Sequence, residues 1–216
     1  MTDNPTIPSA LTAFIEHEIL PKYDNFDAAH RIDHAQMVIT QSLEIARHYP
    51  VRPDMVYAIA AFHDLGLSVD RATHHLESGR IVRDCNRLHE WFSPEDIETM
   101  AQAVEDHRAS SDHEPRSIYG RVVAEADRMI DPEVIVRRTV QYGLANYPDL
   151  DREGQWQRTL DHLHAKYAEG GYLRLHFPES PNAGRLHNLR ILINDRPRLR
   201  TLFDRLYDSL ALNNQN

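Results

Sequence analysis

The most informative stretch of the sequence reads Ala58-Ile59-Ala60-Ala61-Phe62-His63-Asp64-Leu65-Gly66. A run of small and apolar residues leads directly into a histidine and an aspartate, and a glycine, a usual residue just past a helix end, follows. The apolar run predicts that this helix end lies near the protein core. An imidazole and a carboxylate that diverge by about 100° can still both reach an ion lying between them. The pair is therefore either part of a metal site or a hydrogen-bonded core histidine beside a capping aspartate.

Apolar residues recur at three- and four-residue spacing through most of the chain, and no stretch alternates as a half-buried strand does. This pattern predicts an all-α fold. Pro197 predicts a break near Asp195 in the last helical stretch, residues 185–212. We predict a loop at residues 172–184, whose role the sequence leaves open. Proline and glycine are scattered rather than gathered into a linker, which favours a single domain.

The composition narrows the classes of partner. The formal net charge is −9, which argues against a broad basic face for duplex nucleic acid and favours a small phosphorylated partner. Cys85 is the only cysteine, so no internal disulfide can form. The first ten residues lack a secretory pattern, and no apolar run is long enough for a membrane span. We therefore expect a cytoplasmic protein that does not enter a membrane; the oligomeric state is left open.

Histidine is abundant, with 14 in the chain, and two further regions could supply metal ligands. His30 and His34 are four residues apart, so they face the same way on a helix. Asp127 lies among small and apolar residues, where an unpaired carboxylate would be costly. A metal ion would compensate that charge, and the alternative is a salt bridge to Arg128 or another arginine.

His34, His63-Asp64 and Asp127 follow the order H, HD, D, and in this the chain resembles the HD superfamily of metal-dependent phosphohydrolases. The resemblance covers about residues 27–131. It implies an all-α fold, a divalent metal held by these four side chains, and hydrolysis of phosphomonoesters, phosphodiesters or nucleotides. We therefore expect one HD-type helical domain over residues 1–216, with a metal-binding core at about 27–131 and additional helices at 132–212.

A second resemblance concerns family members that bind two metals. His75 and Gly79 look like their HxxxG element, and His107 supplies a further histidine. His74 competes with His75, but the HxxxG spacing favours His75. We expect one or two divalent transition metal ions, iron, manganese or zinc, with Asp64 as the bridging ligand by resemblance. The full ligand set would be His34, His63, Asp64, His75, His107 and Asp127.

The mechanism that the resemblance implies is hydrolysis by a metal-activated water, with Asp64 at the catalytic centre. His30 could relay protons, although it could also be structural. Arg31 and Arg108 are the preferred candidates for binding phosphate oxygens, and the alternative for each is a solvated or ion-paired helix face. Two other functions remain open: a di-iron oxygenase, which the superfamily also contains, and a metal-stabilised binding module without catalysis.

The residues after the HD pair predict which nucleotide is not a substrate. The chain reads Leu65-Gly66-Leu67-Ser68, not the HDxxED of guanosine tetraphosphate hydrolases, and it lacks the GYP tripeptide of cyclic di-GMP phosphodiesterases. We expect negligible hydrolysis of guanosine tetraphosphate beside simpler phosphate esters, measured as released product at equal substrate concentration. A clear preference for guanosine tetraphosphate would contradict this subgroup argument.

Overall fold

The computed structural model describes residues 6–26, 31–108, 111 and 113–213. Within these residues there are ten α-helices and no β-strand, which confirms the predicted all-α fold. One turn of π-helix at Ile15–Ile19 continues α1, and 3-10 turns occur at Leu20–Asn25, Leu65–Ser68 and Asn86–Glu90. The helices are α1 Ser9–Phe14, α2 Ile32–Ala46, α3 Pro53–Phe62, α4 His74–Asp84, α5 Pro94–Glu105, α6 Ile118–Ala126, α7 Pro132–Asn146, α8 Arg152–Tyr167, α9 Pro181–Asn194 and α10 Arg196–Asn213.

The chain divides into two compact units, Met1–Arg128 and Met129–Asn216. The sequence predicted a single domain whose metal-binding core ends near residue 131 and is followed by additional helices. The division between the two units falls close to that position. Each unit has its own helices and its own apolar core. A single cooperative domain therefore stays a prediction, which a single unfolding transition would support.

Helix α3 lies at the centre of the N-terminal unit. All eight residues from Met55 to Phe62 are buried, because α3 packs against α2, α5 and α6. A helix that is apolar on every side can be stable only when it is enclosed by other helices. The histidine and aspartate that end this helix are consequently carried into the interior of the unit.

Helix α5 begins at a capping box, as its sequence indicates. The Ser93 hydroxyl accepts a hydrogen bond from the backbone N–H of Asp96, and the Asp96 carboxylate accepts one from the backbone N–H of Ser93. Pro94 occupies the first turn, where its missing N–H costs nothing. The helix ends at Glu105, two residues before His107.

Close backbone packing holds the start of α4 against the turn that follows His63-Asp64. A Cβ atom on Gly66 would lie 2.0 Å from the carbonyl oxygen of His74 and 2.6 Å from the backbone nitrogen of Ser78. The backbone N–H of Gly66 also donates to the buried Ser78 hydroxyl at 2.8 Å. Only a residue without a side chain fits here. Gly66 therefore allows the backbone of His74 to lie against this turn.

Gly79 allows α4 to approach α5. A Cβ atom at this position would meet Glu105, at 2.6 Å from its Cγ. Glu105 is held by Arg83 of α4 and by Arg116, whose nitrogens lie 2.5 Å and 2.7 Å from its carboxylate oxygens. Contact between the two helices therefore combines close packing with ion pairs.

The C-terminal unit is built from α7, α8, α9 and α10, which pack against one another. Trp156 of α8 contacts Phe203 of α10, with 5.2 Å between the ring centroids. The predicted break near Asp195 is confirmed, since α9 ends at Asn194 and α10 begins at Arg196. The predicted loop at 172–184 is too long by four residues, because Ser180 caps a helix that already begins at Pro181.

No helix in the described part of the chain combines the length and apolar character that a membrane span requires.

Replacing Gly66 by alanine should destabilise the N-terminal unit. The added methyl group must displace the backbone of α4, and overpacking of this kind costs about 1–3 kcal/mol. Gly184→Ala is the matched control, since a Cβ atom there meets nothing within 4 Å and the substitution stabilises a helix interior by up to about 1 kcal/mol. Urea denaturation measures both changes, and equal stability of the two variants would contradict the packing argument.

Candidate metal centre

His63 and Asp64 follow directly after α3, and both side chains are buried. A carboxylate at this place is unfavourable in two respects. It lies at the negative end of the helix dipole, and burial removes it from water. The surroundings of Asp64 must therefore supply positive charge, either as protonated histidines or as a bound cation.

The first group of potential ligands comprises His34, His63 and Asp127, whose donor atoms lie within 4.8 Å of one another. Nε2 of His34 is 3.1 Å from Oδ1 of Asp127 and 3.3 Å from Nε2 of His63. Oδ2 of Asp64 faces the same group, at 3.3 Å from His63 Nε2 and 3.7 Å from His34 Nε2. Four donor atoms from α2, the end of α3 and the end of α6 thus surround one point.

The second group comprises Asp64, His74 and His107. It uses the other carboxylate oxygen: Oδ1 of Asp64 lies 3.4 Å from Nε2 of His107 and 3.6 Å from Nε2 of His74. The two oxygens of one carboxylate therefore face two different sets of imidazole nitrogens. Such a carboxylate is placed to bridge two cations.

Three of the histidines are oriented in the same way, each by a hydrogen bond to its own helical turn. Nδ1 lies 2.7 Å from the Ala60 carbonyl in His63, 2.9 Å from that of Arg71 in His74, and 2.6 Å from that of Val104 in His107. A carbonyl oxygen only accepts, so the proton belongs on Nδ1 of the neutral ring. The Nε2 lone pair is then directed at the carboxylates, as in histidines that ligate metals.

Electrostatics at the centre favour positive charge. Burial by itself would lower the pKa of His63, but Asp64 and Asp127 outweigh it and raise this pKa to about 9. Burial also disfavours the Asp64 carboxylate, yet His63 and His107 hold its pKa far below the ordinary value. For Asp127, His34 and His63 overcome burial and lower the pKa to about 2. Both carboxylates are ionised, and they attract either protons or metal ions to the facing nitrogens.

The structure brings His74, rather than the predicted His75, to the Asp64 carboxylate. His75 belongs to neither group of donors, and its buried Nδ1 makes no hydrogen bond among the described residues. Neighbouring side chains on a helix point about 100° apart, so only one of the two can face Asp64. The histidine of the HxxxG spacing therefore lies away from Asp64, and its glycine, Gly79, lies against Glu105.

Five of the six predicted ligands are nevertheless brought together, namely His34, His63, Asp64, His107 and Asp127. The alternative partner for Asp127 was Arg128. Nη1 of Arg128 instead lies 3.7 Å from the buried Glu125, while Asp127 faces His34 and His63.

A cavity of about 730 Å³ is lined by His75, Arg108, Arg116 and neighbouring residues that flank the second group in the chain. Arg108, a predicted phosphate ligand, donates one hydrogen bond to the Ala72 carbonyl at 2.8 Å. Arg31, the other predicted phosphate ligand, is exposed and precedes α2 three residues before His34. The predicted proton relay His30 lies outside the described residues.

The sequence analysis did not identify Tyr23, whose side chain forms hydrogen bonds with the backbone on either side of His63. Its fully buried hydroxyl donates to the Ala61 carbonyl at 3.0 Å and accepts from the backbone N–H of Asp64 at 3.3 Å. No motif marks this tyrosine. An aromatic residue before a polar segment is only a weak indication of a buried role. The fold, rather than the local sequence, brings Tyr23 to the end of α3.

The helical unit with clustered histidines and aspartates defines a protein with a candidate binuclear metal centre. Residues 31–130 match the family model of the HD domain, a span that includes all the donor residues described above. This segment is therefore similar to the HD domain, which is consistent with the HD-domain superfamily. No curated protein and no solved structure matches the chain.

His74→Ala and His75→Ala should differ in metal content. Removal of His74 deletes a donor that faces Asp64, so we expect bound metal to fall from about two ions per chain towards one. His75→Ala is the matched control and should retain about two ions. Elemental analysis of purified variants measures the difference, and circular dichroism verifies that both are folded. Equal metal loss in the two variants would contradict the assignment of His74.

Proposed function

We propose that the protein is a metal-dependent phosphohydrolase with two divalent metal ions. The observation that carries the proposal is the position of Asp64, one oxygen of which faces His34 and His63 while the other faces His74 and His107. Imidazole nitrogens around a buried carboxylate are a donor set that suits divalent transition metals.

The donor atoms suit transition metals. Nitrogen and oxygen ligands bind zinc at about 2.0–2.2 Å, so neighbouring ligands of one ion lie about 3.0–3.5 Å apart. Among the donor pairs described above, the separations run from 3.1 Å for His34 and Asp127 to 3.8 Å for His63 and Asp127. Adjustments of a few tenths of an ångström would bring these pairs to the spacing of ligands on one ion. Imidazole donors favour zinc, iron or manganese over magnesium, which prefers oxygen ligands.

When bound, such ions lower the pKa of a water molecule and polarise a phosphoryl oxygen. The chain's own residues perform the remaining work. The hydrogen bonds to the carbonyls of Ala60, Arg71 and Val104 fix the imidazole rings, so little reorganisation is needed when the centre is loaded. Tyr23 holds the backbone N–H of Asp64 and thereby the orientation of its carboxylate.

Arg108 is proposed to bind the substrate phosphate. It lines the cavity of about 730 Å³, whose other lining residues include the chain neighbour of His74, His75. The hydrogen bond to the Ala72 carbonyl uses one of the five N–H donors of its guanidinium. Arg116, on the same cavity, is committed to Glu105 and Asp106. The cavity volume lies within the range of small-molecule sites, which supports a small phosphate ester or nucleotide as substrate.

Removal of metal should abolish phosphatase activity. We expect chelated protein to lose hydrolysis of a panel of phosphate esters and nucleotides, and manganese, zinc or iron(II) to restore it without oxygen. Asp64→Asn removes the shared carboxylate and should lower kcat/KM by about 100-fold or more. Asp33→Asn, on the first turn of α2, is the control and should have little effect.

Three outcomes would contradict the proposal. Full activity of metal-free protein would exclude metal catalysis. Turnover that requires both iron and oxygen would identify the oxygenase alternative. A loaded centre without turnover of any ester would leave a metal-stabilised binding module.

A further inference from the structure

The C-terminal unit contains a second cavity, of about 410 Å³, that lies between α7 and α8. Its polar lining is made of arginine, lysine and histidine side chains, and its apolar lining includes two tyrosines. No acidic side chain lines it among the described residues. The residues of interest are Arg138 and Tyr142 on α7 and Arg158, His162, Lys166 and Tyr167 on α8.

The basic side chains of α8 form one stripe. Arg158, His162 and Lys166 are spaced four residues apart, so they face the same side of the helix. Burial lowers the pKa of His162, and the positive charges of Lys166 and Arg158 lower it further. The positive charge of the stripe at neutral pH therefore lies on Arg158 and Lys166, with an uncharged imidazole between them.

Two acidic residues at the ends of α7 and α8 pair with arginines that do not line the cavity. Glu133, on the first turn of α7, pairs with Arg137 and Arg205. Glu169, after α8, pairs with Arg190 at 3.1 Å. In a chain with a net charge of −9, a concave surface lined by cations and no acid is an unusual feature that an ordinary solvated helix face does not explain.

Arg158 is partly buried, and its contacts are with uncharged groups. It donates to the Thr139 carbonyl and to Oε1 of Gln155, and its guanidinium lies over the rings of Tyr142 and Tyr147 at 5.8 Å and 5.6 Å. Burial lowers its pKa. A half-buried guanidinium whose contacts are carbonyls and aromatic faces retains charge that an anion can neutralise.

Exposed tyrosines adjoin the cations. The side chains of Tyr142, Tyr147 and Tyr172 are 55%, 47% and 47% exposed, far more than a core tyrosine would be. Tyr142 lies near Tyr147, with 6.3 Å between ring centroids, and Lys166 lies 6.0 Å from the Tyr172 ring. Aromatic faces beside cations are the features that bind a nucleobase by stacking while a phosphate is held nearby.

We propose that the cavity between α7 and α8 binds a nucleoside phosphate, with its phosphate at Arg138, Arg158 and Lys166 and its base on Tyr142. A mononucleotide is favoured over a polynucleotide for two reasons. The cavity volume is that of a small-molecule site, and the net charge of −9 opposes a long polyanion. All the residues of this site belong to the C-terminal unit, whereas the metal donors belong to the N-terminal unit.

Equilibrium dialysis of labelled AMP against the full-length protein tests this site, with EDTA present so that binding through metal ions is removed. We expect saturable binding of about one AMP per chain that weakens as salt rises. The Arg138→Gln/Lys166→Gln double variant should bind roughly tenfold or more weakly. The control is the Arg137→Gln/Arg205→Gln double variant, which also removes two positive charges, those of the two partners of Glu133 outside the cavity. It should bind AMP within about twofold of the wild type.

A second pair of variants tests the base. Tyr142→Ala should weaken AMP binding roughly fivefold or more while leaving binding of inorganic phosphate unchanged, and Tyr142→Phe should retain both. Thermal melts verify that each variant is folded.

Several results would overturn the proposal. They are absence of AMP binding in EDTA, equal loss in the two double variants, inorganic phosphate binding as tightly as AMP, or binding of a single-stranded oligonucleotide but not of AMP. Because EDTA removes any metal-dependent activity beforehand, these results are independent of whether the protein is a phosphohydrolase.

Discussion

The buried carboxylate of Asp64 is the constraint on which the N-terminal unit depends. Removing an ion of this kind from water costs several kcal/mol, and the negative end of α3 adds to that cost. Compensation requires partners on both oxygens, and no single helix can supply them. The imidazoles come from α2, from the end of α3, from the start of α4 and from the residue after Asp106 at the end of α5. Four segments of the unit must therefore converge on this one charge.

What holds these helices at the required separation is mostly backbone packing rather than the site itself. Gly66 admits the start of α4 to within contact of the His63-Asp64 turn, and Gly79 admits α4 to Glu105 of α5. The ion pairs of Glu105 with Arg83 and Arg116 then fix α4 against α5. Since His74 begins α4 and His107 follows α5, the same contact sets the spacing of the second group of donors. Surface ion pairs alone would be too weak for this, but here they supplement close packing.

The sequence predicted those features that a local pattern encodes. Helical spacing gave the all-α fold, and the apolar run before His63 indicated a buried helix end. The donors His34, His63, Asp64, His107 and Asp127 could be grouped because their order resembles a known family. The choice between His74 and His75 could not be made, since it depends on the phase of α4, which Gly66 and Ser78 determine through tertiary contacts. Tyr23 could not be identified from the sequence, because its hydrogen bonds form only once the 3-10 turn Leu20–Asn25 lies against the end of α3.

A sequence pattern indicates the cavity of the C-terminal unit, but a search for metal-binding histidines does not identify it. The neighbours of His162 at four-residue spacing are Arg158 and Lys166, and Arg138 and Tyr142 have the same spacing on the preceding helix. The two candidate sites also differ in the sign of the charge that their side chains carry. The carboxylates of Asp64 and Asp127 repel a phosphate until metal ions reverse the local charge, whereas the stripe on α8 is cationic without any ion. A phosphorylated ligand of the proposed metal centre would therefore need bound metal ions, whereas a ligand of the proposed site between α7 and α8 would not.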